Sequence, residues 1–246
     1  MDTFKDVLKA LLRRYGFEFR RYNVQTSSDA QLVRALCYLG IDLIMDVGAN
    51  TGQYGSALRA HGYGGRIVSF EPSSEAYREL IRRASKDRKW TVAPRTALGA
   101  SSETLQLNLS ANSVSNSIRG MLPAHAEAAP ESVYVGSEEV PVRTLDAIGP
   151  DYMESTNRTL LKIDTQGFED AVLDGAATVL QKVTALQIEL SLIPLYEKQT
   201  LLDEMCARVA SSGFSLYAVF PVYADEKTGR TLQLDGLFVR DSATGL

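Results

Sequence analysis

The stretch Leu43-Ile44-Met45-Asp46-Val47-Gly48-Ala49-Asn50-Thr51-Gly52 decides how the chain is read, because an apolar run passes directly into a glycine turn. Gly55 follows three residues on, and the next apolar run, from Arg66 to Phe70, is closed by Glu71. Strand, glycine turn, helix and a second strand ending in a carboxylate form the opening unit of a parallel α/β sheet with a ligand site at its carboxyl edge. Gly48 and Gly52 allow the backbone to turn tightly and to approach a ligand where a Cβ would obstruct. Glu71 then stands where the ribose hydroxyls of an adenosine-bearing cofactor would be accepted. The plainer alternative is a tight turn with Glu71 as a surface acid leading the helix after Pro72.

The spacing narrows the cofactor. Dinucleotide binders carry G-x-G-x-x-G, whose middle glycine admits a pyrophosphate. Asn50 holds that middle position here, giving Gly48-x-x-x-Gly52-x-x-Gly55. Asp46 at the strand end would repel a pyrophosphate and is better matched to the amine or sulfonium of S-adenosylmethionine. An NAD-dependent oxidoreductase is the alternative that Asn50 weakens.

The chain has 246 residues, 45% of them hydrophobic, which is enough for one large α/β domain with additions at its ends. Its formal net charge of −4 argues against a protein built around a nucleic-acid backbone, so no nucleic-acid partner is expected. Two cysteines, Cys37 and Cys206, lie in apolar helical patterns and read as buried thiols. No signal-peptide pattern and no apolar run near transmembrane length is visible, so a cytoplasmic protein is expected.

Phe4, Val7, Leu8, Leu11 and Leu12 recur at helical spacing among Lys5, Lys9, Arg13 and Arg14. This basic amphipathic helix would pack on its own domain or across a homodimer, or touch an anionic lipid surface or a partner. Ser28 or Asp29 would cap a second helix carrying Leu32, Val33, Leu36 and Leu39, expected over the cofactor end of the sheet. Residues 1–40 thus read as a helical extension, and residues 41–246 as the main domain. Further on, strands are expected at 41–46, 66–71, 90–97, 160–164 and 185–190. Residues 104–109 read as an antiparallel addition, 140–145 as strand-like, and 214–220 with 232–239 as an antiparallel ending. Helices are expected at 53–61, from Ser73 or Ser74, through 168–180 and at 197–212. The spacing predicts a doubly wound sheet. Residues 110–139, rich in Ser, Asn, Ala and Pro, read as a long functional loop.

Three segments together resemble the FkbM family of S-adenosylmethionine-dependent methyltransferases. They are Asp46-Val47-Gly48-Ala49-Asn50-Thr51-Gly52-Gln53-Tyr54, then Phe70-Glu71-Pro72, and Leu161-Lys162-Ile163-Asp164-Thr165-Gln166-Gly167-Phe168-Glu169 with Val172-Leu173-Asp174-Gly175. Thr96-Ala97-Leu98-Gly99 and Arg143-Thr144-Leu145-Asp146 resemble its connecting segments, so the likeness covers residues 41–240. It implies a Rossmann-like class I methyltransferase sheet, mostly parallel with an antiparallel C-terminal strand and helices on both faces. It also implies methylation of a hydroxyl oxygen. Relatives act on sugar hydroxyls of polysaccharides, glycolipids and glycosylated natural products, and on polyketides. Gln166 departs from the family's commoner Glu.

Methyl transfer to a sugar hydroxyl needs near-attack geometry and either a base or a Lewis acid. Asp164, at the end of the 160–164 strand, is the first candidate base. Asp164, Glu189 and Asp235 would converge on the carboxyl rim, and three carboxylates without Cys or paired His suit Mg²⁺, or another oxygen-preferring ion such as Mn²⁺ or Ca²⁺. The alternatives are that these acids cap helices and pair with Lys162 or arginines, or that Asp164 acts alone. His125, in the long loop, is a second candidate base with a near-neutral reference pKa, whereas His61 at a helix end reads as structural. Asn112, Ser115, Asn116 and Ser117 would donate to the cofactor carboxylate or to sugar hydroxyls. Tyr54 would close over the methionine end, and Thr96 and Ala97 would lie near adenine. Lys162 is expected on the face opposite Asp164, in a structural pair.

The expectation is therefore a cytoplasmic O-methyltransferase using S-adenosylmethionine on a saccharide acceptor, with Mg²⁺ assistance and self-association left open. Methylation of a lipid or polyketide hydroxyl, or a non-catalytic cofactor-binding module, are the competing readings.

Overall fold

Residues 2–18, 21–154 and 157–244 are described by the computed structural model. Helices α1 (Asp2–Arg14) and α2 (Ser28–Tyr38) lead into β1 (Leu43–Val47), α3 (Gln53–Ala60), β2 (Arg66–Phe70), α4 (Ser74–Ala84) and β3 (Trp90–Val92). The middle carries β4 (Ala97–Leu98), β5 (Glu103–Ser110), α5 (Pro123–Ala128), β6 (Tyr134–Arg143) and α6 (Leu145–Ile148). Then come β7 (Thr159–Ile163), α7 (Glu169–Asp174), α8 (Ala177–Leu180), β8 (Ala185–Ser191), α9 (Leu202–Ser211), β9 (Phe214–Ala224), β10 (Thr231–Arg240) and α10 (Asp241–Thr244).

Seven strands form one sheet in the order β3-β2-β1-β7-β8-β10-β9. β1, β2, β3, β7 and β8 are parallel, and β10 runs antiparallel to both its neighbours. This is the mostly parallel class I sheet with a reversed C-terminal strand. β1, β7 and β8 are buried along their whole length, as strands covered on both faces must be. Alternation divides their side chains between two cores. Met45, Leu161 and Leu186 pack with Val172 of α7, Val179 of α8 and Val209 of α9. Ile44, Leu160 and Ala185 pack with Leu36 of α2, Leu58 of α3 and Leu80 of α4. Chain order reverses between β1 and β7, which creates the crevice where open α/β sheets bind ligands.

Several expectations are corrected. The strand expected at 90–97 stops at Val92, because the chain bends at Pro94, which has no amide hydrogen for a ladder. Ala97–Leu98 and the 104–109 segment instead enter a second sheet, β4-β6-β5, that stands beside the cofactor crevice. The segment 110–139 is less irregular than its composition suggests, since it includes α5 and the start of β6. The helix expected through 168–180 breaks at Gly175 into α7 and α8. The one expected at 197–212 starts at Leu202, because Gln199 Oε1 accepts from the Leu195 and Tyr196 amides and turns the chain there. Ser27, rather than Ser28 or Asp29, caps α2 by accepting from the Ala30 amide. That helix lies on a sheet face rather than over the cofactor end. Cys37 is exposed and Cys206 only half-buried. Val7, Leu8 and Leu11 of α1 are exposed rather than packed on the domain, while the side chains of Phe4 and Lys5 lie outside the described residues. Among the described residues no helix is long and apolar enough to cross a membrane.

Candidate active site

A cavity of about 250 Å³ opens at the carboxyl ends of β1, β2 and β7. Its apolar wall comes from Phe70, Ala97, Leu98, Leu107 and Phe168, and Thr96 and Ala97 both line it. The Thr96 hydroxyl is engaged with the Ala97 and Pro141 carbonyls, so only its remaining surface faces the slot. Glu71 lines the cavity while almost wholly buried. Its Oε2 accepts from the Asn50 amide at 2.7 Å and its Oε1 from the Ser73 amide at 2.8 Å. Burial pushes this carboxyl up to about 7, against the pull of the two amides. A fixed carboxylate with lone pairs to spare beside an apolar slot is what an adenosine requires.

The glycine turn contributes in a way its sequence did not suggest. The Gly48 and Ala49 amides donate to the Phe70 carbonyl, the Asn50 amide to Glu71, the Thr51 amide to Asn50 Oδ1 and the Gly52 amide to the Ala49 carbonyl. No amide of this turn is left to cradle a pyrophosphate, which argues against the nicotinamide-dinucleotide alternative. Gly48 has φ +79°, and a Cβ there would overlap the Asp164 carbonyl oxygen. Its smallness admits β7's end rather than a ligand. Gly52 does not line the cavity; it starts α3 and packs toward Leu80 and Trp90.

Beneath the cavity, strand register assembles a polar row. Ser69, Asp46, Lys162 and Gln187 are aligned neighbours on β2, β1, β7 and β8. Asp46, expected to face the cofactor's positive end, is completely buried and does not line the cavity. Ser69 Oγ donates to its Oδ2 at 3.2 Å, and Lys162 Nζ lies 3.3 Å from its Oδ1. Desolvation raises the Asp46 carboxyl and Lys162 opposes that rise. Lys162 itself lines the cavity and lies 3.2 Å from Asp164 Oδ2. The expectation that it faces away from Asp164 is thus wrong, for residues two apart in a strand share a face. Burial works against its charge, but Asp164, Asp46 and Asp235 together outweigh burial and keep the ammonium protonated. Tyr54 roofs this ion, its ring centroid 5.0 Å from Nζ. Its hydroxyl donates to Gln187 Oε1, whose amide donates in turn to Asp235 Oδ2.

The expected metal triad does not form. Asp164 lines the cavity with its side chain one-third exposed, whereas Glu189 and Asp235 lie outside the lining. Gln166 Nε2 stands between two of the acids, donating to Asp164 Oδ1 at 2.8 Å and to Glu189 Oε2 at 3.2 Å. Gln233 donates to Glu189, and Gln187 to Asp235. Amide and ammonium hydrogens therefore meet the carboxylates where a cation would have to sit. Among the described residues no group of three His, Cys, Asp or Glu side chains is arranged to hold a metal ion. Burial and the charge of Asp164 raise the Glu189 carboxyl, and burial brings Asp235 to about 6. Gln166 is held at φ +55°, with Tyr196 donating to its Oε1 and Ser117 Oγ to its carbonyl.

His125, expected as a rim base, is buried in α5 edge-on to Tyr196, with ring centroids 5.0 Å apart, and does not line the cavity. Desolvation lowers its pKa. His61 is structural as expected, with Nδ1 2.8 Å from the Ala57 carbonyl at the end of α3. Asn112 and Ser117 are turned inward, Asn112 onto Ser110, Ser115 and Ser132, and Ser117 onto Gln166. Their neighbours Ser113, Val114, Asn116 and Ile118 line the cavity instead, and the Ser113 carbonyl accepts from Asn50 Nδ2 at 2.7 Å, pinning the loop to the turn.

A family model described as the methyltransferase FkbM domain matches residues 46–216. No curated protein matches the sequence. Among solved structures, an S-adenosylmethionine-dependent methyltransferase from Mesorhizobium loti aligns over 89% of this chain and 100% of its own, at 11% identity and a TM-score of 0.48. An rRNA methylase from Streptococcus thermophilus aligns over 87% and 97%, at 10% identity and a TM-score of 0.46.

Proposed function

The chain belongs to the FkbM methyltransferase family, and from that premise we propose that this S-adenosylmethionine-dependent methyltransferase transfers its methyl group to a hydroxyl oxygen of a carbohydrate. The observation that carries the reading is Asp164, a cavity-lining carboxylate fixed from two sides by Lys162 and Gln166.

The residues fit the cofactor. Glu71 accepts the ribose hydroxyls, the slot of Phe70, Ala97 and Leu98 takes the adenine, and the Asp164 end is left for the charged part of the molecule. When bound, S-adenosylmethionine supplies an electrophilic methyl whose C–S bond breaks as the new O–C bond forms, leaving the neutral thioether. Asp164 accepts the hydroxyl proton as the oxygen attacks, and Lys162 stabilises the carboxylate form that must precede that transfer. Gln166 keeps the carboxylate in one orientation, so the base is positioned before the acceptor arrives. Gln53, Ser113 and Asn116 also line the cavity, and these amide and hydroxyl groups support a polyhydroxylated acceptor.

The test uses radiolabelled methyl donor with glycosides, long-chain alcohols, amines and RNA as acceptors. Label is expected on glycoside oxygen. Asp164→Asn should lower turnover by about 10²–10⁴-fold while S-adenosylhomocysteine affinity changes by less than about threefold. Label on nitrogen, on RNA or only on long-chain alcohols would overturn the acceptor assignment, and near-normal turnover in the Asn variant would remove Asp164 as base.

A further inference from the structure

The site uses nothing from α1, whose surface has its own organisation. Val7, Leu8 and Leu11 are 67%, 44% and 51% exposed, although they make one stripe with the half-buried Leu12. At about 100° per residue the stripe from Val7 to Leu12 spans roughly 140° of the helix. Arg14 falls about 20° outside one border and Lys9 about 60° outside the other, while Asp6 lies on the far side. The aromatic side chains of Tyr15, Phe17 and Tyr22, just beyond the helix, are also exposed. By sequence the helix carries a net charge of +2 in a chain of net charge −4, so it is a local reversal of sign.

We propose that this face docks on an anionic lipid bilayer surface. Apolar residues bracketed by cations are the arrangement of a helix lying in the plane of a bilayer. The stems of Lys9 and Arg14 would extend along the apolar stripe, and their heads would reach headgroup phosphates. Tyr15 suits the same interface, where an apolar ring and a polar tip are both satisfied, and the exposed Phe17 ring adds apolar surface to it. A second copy is the poorer occupant, because α1 against α1 sets cations against cations. The inference stands on α1 alone and is independent of which acceptor is methylated.

The test is flotation of the full-length chain with vesicles of phosphatidylcholine alone, and with vesicles containing about one-third phosphatidylglycerol. Binding is expected to the anionic vesicles only, and to fall away at about 0.5 M salt as the charges are screened. The combined Lys9→Gln and Arg14→Gln variant should lose partitioning by about 25-fold, at about fivefold per cation. Val7→Gln with Leu11→Gln should lose about tenfold. These residues are exposed, so the thermal shift produced by S-adenosylhomocysteine should be unchanged in both variants. Absence of flotation with anionic vesicles at low salt, or equal flotation with neutral ones, would overturn the proposal. So would a solution dimer that Val7→Gln with Leu11→Gln dissociates while vesicles take up neither form.

Discussion

Replacing Lys162 with Met should destabilise the protein in a way that depends on pH. Lys162 is the cation beside Asp46, which is wholly buried and otherwise, among the described residues, has only Ser69 Oγ, at 3.2 Å, donating to it. Asp164 also loses its partner, but it is one-third exposed and can turn to water. Without Lys162, Asp46 must stay charged and unpaired or hold a proton. Breaking a buried pair from one side costs about 3–5 kcal/mol. Holding the proton on an acid that titrates near 3.9 when unfolded costs about 1.36 kcal/mol per pH unit above that value, hence about 4 kcal/mol at pH 7 and about 1.5 kcal/mol at pH 5. The folded-state pKa of Asp46 is raised in this variant, so the penalty is absent below the unfolded value and grows as pH climbs toward the folded one. Trp90, the only tryptophan, is buried and donates to Ser69 Oγ at 3.0 Å, so its fluorescence reports from the same row. With a urea m-value of about 3 kcal/mol/M, the midpoint should fall by about 1.4 M at pH 7 and about 0.5 M at pH 5. Adding Asp46→Asn should restore most of the loss. Equal shifts at the two pH values, or a double variant no more stable than the single one, would refute the argument.

Three further outcomes are expected. Glu71, raised to about 7 by burial, should lose its proton when ribose hydroxyls donate to it, so S-adenosylhomocysteine binding at pH 7 should release about half a proton. Calorimetry in buffers of different ionisation enthalpy measures this, and proton uptake would contradict the role of Glu71. The same raised pKa makes the free protein lose stability as pH rises from the ordinary carboxylate range through about 7, because the folded state holds that proton longer. Methyl transfer should persist in excess EDTA, because Gln166 and Lys162 already supply the donors facing the acids. Activity abolished by chelation and restored by Mg²⁺ would show that a cation displaces these contacts.

The sequence by itself determined the local geometry on which the site depends. Leu43 to Gly52, the run ending in Glu71, and the apolar strands at Leu160 and Ala185 each announce their elements through periodicity and turn chemistry, which are properties of neighbours in the chain. The sharing of a face by Lys162 and Asp164 was equally legible, since they are two residues apart at the carboxyl end of β7. What only the tertiary structure decided is which side chains meet across elements. Asp46, Lys162 and Gln187 form one row because three parallel strands settle into a particular register. Gln166 separates Asp164 from Glu189 because its backbone takes a positive φ under Tyr196 and Ser117. His125 turns inward to Tyr196, and Asn112 onto its own loop. Whether converging acids meet a metal ion, an ammonium or an amide depends on the sign and reach of groups far away in the chain, and spacing within a strand does not encode that.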